Sequence, residues 1–348
     1  MESAKYFRGA AGAQPAPGEH WVSAAHTQRV NASGRKALFP VPVWLWRMAM
    51  GAAAPLENRR FNAEPITTVD YTLDVDYVGD GMREHCLDVL RPRDAPGALP
   101  VYVYVHGGGW TSGDKAPLTK YCAVQADSGM VVVNVNYRRA GRFERFHLRD
   151  MLLDLDLALA WVERHIGEYG GDPDRIVLGG DSAGAQIVAL LAAMTSRDEL
   201  VDYYQFTPAI RREQILGLVL HCGAMDFSEV FERGFIMGES FVRILIPGGG
   251  RGASLRKAAR WLSPLEWIDE SFPPVLVTTS ERDIFYRANL NFIDRAKAFG
   301  VPVDVLVYGW DAKGAEHTWQ QDARLPESRA VYSRLQAFVN SRARQVGV

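Results

Sequence analysis

Residues 175–184 read RIVLGGDSAG, and small apolar residues continue from there to about residue 195. An apolar strand, a reversal and a helix follow one another within this short span. The pattern frames Ser182 as G-x-S-x-G on a sharp strand-to-helix turn. Gly180 and Gly184 lack the Cβ atoms that would collide in so tight a reversal, which lets the serine hydroxyl stand clear of the sheet. The helix N-terminus behind it favours developing negative charge. Gly, Ala and Ser are common, so the weight of the motif lies in its strand–turn–helix context.

Outward from this turn, short continuous apolar runs recur at 101–105 (VYVYV), 130–135 (MVVVNV), 215–220 (ILGLVL), 275–279 (VLVTT) and 303–308 (VDVLVY). Continuous runs fit strands covered on both faces. Helical periodicity fills 149–166, 183–195, 287–299 and 327–342. Such alternation implies parallel strands joined by right-handed crossovers, with helices on both faces of one sheet. Upstream, Val69, Tyr71, Leu73, Val75 and Tyr77 alternate with polar residues, Gly79-Asp80-Gly81 turns the chain, and 84–90 returns. This predicts an antiparallel hairpin and brings the strand count to eight, in the α/β class.

Two stretches fall outside the alternation. Residues 1–65 are expected to form an N-terminal cap segment on a catalytic domain of 66–348, and about 226–270 to form a lid insertion. The insertion holds Met237, Phe241, Ile244, Leu245, Trp261 and Trp267 around a PGGGRG hinge at 247–252, a composition suited to a mobile apolar cover. Without a preceding strand or a following Lys-Ser/Thr, the glycine run makes a poor phosphate loop. The stretch LFPVPVWLWRMAM, 38–50, holds two prolines and an arginine and is too short to span a membrane. Packing on the main core is the default expectation for it. A substrate-entrance or lipid-interface element is the alternative.

With 39 Lys and Arg against 41 Asp and Glu, the net charge of −2 excludes a strong field toward nucleic acid or anionic membranes. A 47% apolar composition with nine Trp excludes a disordered chain. Cys86, Cys122 and Cys222 are sparse and odd in number, so neither a disulfide framework nor close metal-ligand spacing is expected. No signal peptide is read at the N-terminus. A reducing, cytoplasmic location follows as the expectation, with no stable membrane insertion; a homodimer is left open.

The strand 101–105 runs into His106-Gly107-Gly108-Gly109-Trp110. Three glycines free backbone N–H groups to aim at an oxygen that becomes charged, as an oxyanion hole requires. Gly107 and Gly108, with Ala183 after the serine, are the expected donors. A nucleophilic serine also needs a base, and the base an orienting carboxylate. Asp283 follows the strand 275–279 and His317 follows 303–308, so both leave carboxyl ends of strands, the sheet edge on which Ser182 sits. Of the other seven histidines, His221 is the serious rival, because it too ends a strand. Glu281 and Asp226 are the fallback acids.

These residues resemble the hormone-sensitive-lipase-like branch of the α/β-hydrolase superfamily. The resemblance rests on HGGGW at 106–110, Asn136-Tyr137-Arg138, GDSAG at 180–184, Asp283 and His317, and covers about residues 67–342. It implies the α/β-hydrolase fold with an eight-stranded sheet and a cap. It also implies hydrolysis of short to medium acyl esters, small molecules, without metal or cofactor. Ile284 and Phe285 after the acid, and Thr318 and Trp319 after the histidine, depart from the family pattern and bear on the acyl pocket. An amidase such as an arylformamidase on the same three residues, or a ligand-binding relative without turnover, are the competing readings. The tryptophan-rich segments add lipase-like action at interfaces.

Overall fold

The structure, a computed structural model, describes residues 41–95, 97–141, 146–232, 235–246 and 253–345. The first helix, α1, spans Val43–Phe61. The hairpin strands follow as β1, Val69–Asp76, and β2, Cys86–Pro92. Then come β3 Leu99–Val105, α2 Thr119–Asp127, β4 Val131–Val135 and α3 Leu148–His165. The central unit is β5 Gly171–Asp181, α4 Ala183–Met194, α5 Asp198–Tyr204 and β6 Ile215–His221. An insertion carries α6 Gly238–Leu245 and α7 Ala253–Ala258. The chain closes with β7 Val275–Ser280, α8 Tyr286–Ala298, β8 Val303–Tyr308 and α9 Pro326–Gln345.

The strands form one sheet in the order β1-β2-β4-β3-β5-β6-β7-β8. β1–β2 and β2–β4 are antiparallel, and the pairings from β4 through β3 to β8 are parallel. This is the α/β-hydrolase architecture. Each continuous apolar run divides by parity between two cores. Val101, Val103, Val105, Ile176 and Leu178 pack in the core that includes α3, α4 and α8. Tyr102, Tyr104 and Val177 face the core with α2 and α9. Both sides of the strands are dry, which is why their sequences show no polar alternation.

Three expectations are revised. Leu73 was read on the buried side of β1, but the register shifts between Thr72 and Val75 and Asp74 takes a φ of 56°. This bulge leaves Leu73 53% exposed and turns Asp74 toward Lys115. The segment 38–50 was expected to pack on the core. Where described, it begins α1, which has no buried residue and leaves Trp44, Met48 and Leu56 at 56%, 64% and 71% exposure. Only its Val43 and Trp46 side touches the core. In the insertion, Phe241 and Leu245 are fully buried, and Trp261 stacks between Tyr203 and Trp267 instead of facing the serine. The 247–252 hinge lies outside the described residues, as do residues 1–40. Among the described residues no helix is long and apolar enough to cross a membrane.

The chain after Trp110 is pinned under the hairpin by one buried cation. The Lys115 side chain is 3% exposed, its Nζ lies 2.6 Å from Asp74 Oδ1, and it also pairs with buried Asp88. Its backbone N–H donates to Asn136 Oδ1 at 2.8 Å and its carbonyl accepts from Asn134 Nδ2 at 2.9 Å. Burial outweighs the lysine and pushes the Asp88 carboxyl up, so the pair gives little net stability while intact. Removing one member strands the other. Asp88→Ala is expected to cost about 3 kcal/mol in urea unfolding, and Asp88→Asn distinctly less.

Candidate active site

The turn between β5 and α4 places Ser182 at φ 52° and ψ −115°, a conformation that a side-chain-bearing residue holds only under constraint. The constraint is visible in its neighbours. A Cβ on Gly180 would lie 2.6 Å from the Gly184 carbonyl carbon and 2.7 Å from Val105 O, and one on Gly184 would overlap Val105 O. The start of α4 therefore rests directly on the end of β3. Ser182 N–H donates to His221 O at 2.8 Å, which fixes the turn from its other side.

His317, beyond β8, presents Nε2 to Ser182 Oγ at 3.0 Å and Nδ1 to Asp283 Oδ1 at 2.7 Å. The carboxylate on the Nδ1 side places the ring proton there and leaves the Nε2 lone pair facing the serine. Asp283 is itself held: Oδ1 accepts the Phe285 N–H at 3.0 Å and Oδ2 the Thr279 hydroxyl at 2.8 Å. The structure thus brings Ser182, Asp283 and His317 into one hydrogen-bonded chain. The rivals stand elsewhere. His221 is buried between Tyr121 OH at 2.9 Å and Thr278 Oγ1 at 2.7 Å, and burial lowers it to about 3, a neutral ring. Asp226 accepts from Ser228 and Asn291, and Glu281 from the Trp310 N–H.

The glycine loop is braced by its ends. His106 stacks on Tyr137 at 4.5 Å, and burial holds it neutral, near 4. Trp110 is buried, and its Nε1 donates to Gln186 Oε1 of α4 at 3.0 Å. Gly107 C=O is engaged by His106 Nδ1 at 2.7 Å, and Gly108 C=O accepts from Ser112 N–H and Oγ at 3.1 and 2.6 Å. In a trans peptide the N–H points opposite the carbonyl before it. The N–H groups of Gly108 and Gly109 therefore point away from the loop's own bonds. Gly107 is the exception to the expectation drawn from sequence: its N–H donates to Asp181 Oδ1 at 3.2 Å, so it is committed and cannot serve an oxyanion. Ala183 opens α4, where helix N–H groups have no intrahelical acceptor.

Asp181 is the polar centre beneath the site, 1% exposed. Besides Gly107 N–H it accepts Tyr104 OH at 2.7 Å and Gln321 Nε2 at 3.1 Å. Burial raises its carboxyl to about 6 against the pull of Tyr104, His317, Gly107 and Gln321. Three donors on two oxygens suit the ionised form; a proton there would displace one of them. Cys222 Sγ lies with a carboxylate oxygen of Asp283 and a ring nitrogen of His317 within 4.8 Å of one another, the one such donor group among the described residues. Burial pushes that thiol well up, so it stands there as S–H, and the Asp–His contact is the hydrogen bond already described.

A cavity of about 460 Å³ opens on Ser182 and His317. Gly107 to Gly109, Thr318 and Gln321 line its floor, and α1 roofs it with Trp46, Arg47, Met50, Ala54 and Glu57. Trp46 Nε1 donates to Gly108 O at 3.4 Å. The departures after the two loop residues bear on this space unequally: Thr318, at φ 58°, lines it, whereas Trp319 is buried. Which residues of the expected cap segment reach the cavity, the side-chain partners of Asp181 and the place of Cys222 beside the acid were not read from sequence. An N–H partner for Asp181 is implied by any buried carboxylate, but which one is a matter of loop geometry.

The BD-FAE family model matches residues 87–289. The probable carboxylic ester hydrolase LipM of Mycobacterium tuberculosis is 31% identical over 223 residues, 62% of this chain and 49% of that protein. Esterase LipQ of the same organism is 32% identical over 237 residues, 66% of this chain and 51% of that protein. The chain spans about half the length of these relatives. Among solved structures, esterase B from Lactobacillus rhamnosis has the same fold at a TM-score of 0.74 and 20% identity, over 86% of this chain and 94% of that one.

The close approach of α4 to β3 leaves no room for a methyl group. Gly184→Ala is expected to lower stability by about 3 kcal/mol in chemical denaturation, with loss of the turn that holds Ser182. A stability change within about 0.5 kcal/mol of zero would show that the two elements can part.

Proposed function

Since the chain belongs to the BD-FAE family and has the α/β-hydrolase fold, we propose that it is a serine carboxylesterase acting on short to medium acyl esters through an acyl-serine intermediate. The observation that carries this reading is the continuous hydrogen-bonded chain from Asp283 through His317 to Ser182 Oγ at the mouth of the cavity. In the proposed reaction His317 Nε2 takes the Ser182 proton as Oγ attacks the ester carbonyl, and Asp283 orients the ring and stabilises its cation. The carbonyl oxygen, now charged, is received by the N–H groups of Gly108, Gly109 and Ala183. Each such donor contributes on the order of 3 kcal/mol to the transition state. Collapse passes the proton from His317 to the departing alkoxide and leaves the acyl group on Ser182. Water activated by His317 then releases the acid. No step calls on a metal or cofactor.

Asp181 enters as a positioning residue. It ties the nucleophile turn, the glycine loop through Gly107 and the turn after His317 through Gln321. The cap function of α1 and the insertion belongs to the same proposal, supported by the α1 residues over Ser182. The three free cysteines suit a reducing compartment such as the cytoplasm.

Turnover of 4-nitrophenyl esters from acetate to decanoate tests the reading, with Ser182→Ala as control. A fall in kcat on the order of 10⁵-fold in the variant is expected. Equal rates on a matched amide would move the assignment to an amidase, and no turnover of any ester would remove the esterase reading. The pH profile tests Asp181. Acidification through about 6 protonates a carboxyl that works ionised, in addition to the base. Log(kcat/KM) of the wild type should then lose about one log unit more than a single titration gives and converge on that of Asp181→Asn, which falls with a slope of about 1 from a roughly tenfold lower plateau. Profiles of the same shape in both would leave Asp181 without a part in the reaction.

A further inference from the structure

The charged groups that line the cavity are not equivalent. Arg139 is held by Gly113 O at 2.9 Å and Glu84 at 2.7 Å, and Asp114 by Arg83 at 2.8 Å and the Ala116 N–H at 2.9 Å. Asp181 has its three donors, and His317 its two partners. Two groups remain, both on α1: Arg47 and Glu57. Ten residues of helix separate them by roughly 15 Å. Burial pushes the Glu57 carboxyl up, toward its neutral form, and Arg60 on the next turn is its nearest opposite charge. Among the described residues Arg47 has no hydrogen bond and no ion pair, although it is half-buried on the cavity wall.

Its position is set by its neighbour. Trp46 packs edge-on against Phe241, its indole N–H reaches Gly108 O, and a Cβ on Gly109 would lie 2.8 Å from that indole nitrogen. Arg47 follows Trp46 on α1 and lines the same cavity as Ser182 and the glycine loop. Met50, Gly51 and Ala54, one to two turns further along α1, give the adjoining wall small or apolar surface. A half-buried guanidinium with no anion among the described residues is a fork of donors awaiting an acceptor, and a carboxylate matches it in charge and in planar, two-oxygen geometry. Partial exclusion of water makes that pairing stronger than it would be on an open surface.

We propose that Arg47 selects esters that carry a carboxylate, either on the acyl chain or on the leaving group, so that the acid group seats on the guanidinium while the ester bond lies over Ser182. This rests on the serine-esterase reading and names the substrate class for that site. Arg47 is a specificity residue here, with no part in the proton transfers.

Two matched pairs of esters test it. The mono-4-nitrophenyl ester of adipic acid against 4-nitrophenyl hexanoate places the carboxylate on the acyl side. The second pair, 4-butanoyloxybenzoate against 4-butanoyloxybenzamide, places it on the leaving side. The wild type is expected to favour the anionic member of at least one pair. In Arg47→Gln the anionic-to-neutral ratio of kcat/KM should fall about tenfold, mainly through KM, and in Arg47→Glu further, with the effect shrinking as salt is raised. A ratio that Arg47→Gln leaves unchanged, or a wild type indifferent to the carboxylate in both pairs, overturns the inference while neutral turnover leaves the esterase reading standing. Absence of turnover on all four esters removes that reading and the inference with it.

Discussion

The site depends on one contact, the seating of the first turn of α4 on the carbonyl end of β3. Gly180 and Gly184 allow it, and Val105 O lies where their Cβ atoms would be. With α4 that close, the chain between β5 and α4 has room to reverse only by carrying Ser182 through φ 52°. The same approach puts the start of α4 beside the HGGG loop, which leaves the same end of β3. Ser182 and the proposed anion donors are thus brought together by packing rather than by any direct bond between them. A strained serine is tolerated because the elements on both sides are fixed by two dry cores, whose burial outweighs a local cost of about 1–3 kcal/mol.

A second constraint follows from that crowding. Three loops converge where the sheet ends, and their inward polar groups cannot reach water. Asp181 is the common acceptor for two of them and for Tyr104 from β3. A buried carboxylate is costly alone, and burial does raise it, but its three donors keep it usable as an acceptor. His106 and His221 show the opposite solution: both are neutral rings that accept or donate within the framework. His317, at the solvent edge, has its Nε2 directed at Ser182 Oγ.

Much of this was legible in sequence, for identifiable reasons. The continuous apolar runs read correctly as doubly covered strands because each residue of either parity meets a core. The GDSAG turn was legible because glycine is required at two fixed positions. Asp283 and His317 were picked out by their place after consecutive strands, and in the structure they are hydrogen-bonded to each other and to Ser182. What failed was what depends on a one-residue offset or on a remote partner. The bulge at Asp74 reverses the face of Leu73, and nothing local in the sequence marks it. Three consecutive glycines look alike, so which N–H groups stay free is decided by the Asp181 carboxylate and by Ser112. Which side of α1 would turn inward was obscured because its apolar residues suggest one buried face, whereas Trp46 rests on the glycine loop and Trp44 and Met48 face outward.

That division between floor and roof has a consequence for how such a site can vary. The groups in the proton path and the anion donors belong to strand ends, where a change of one side chain disturbs the packing of the sheet. The roof belongs to a helix with no buried residue, joined to the body mainly through Trp46, Arg60 on Asp322, and Asn62 on the Ala116 carbonyl and Lys120 N–H. Substitutions along its inner face beyond Trp46 would alter what the cavity accepts at little cost to the fold, because they remove no core contact. An uncompensated arginine is tolerable there for the same reason. Half-exposed on a helix, it retains enough water to avoid the penalty of a buried lone charge, yet it faces the space where substrate must lie. On the proposed reading, chemistry is set by the sheet and selection by the helix laid over it.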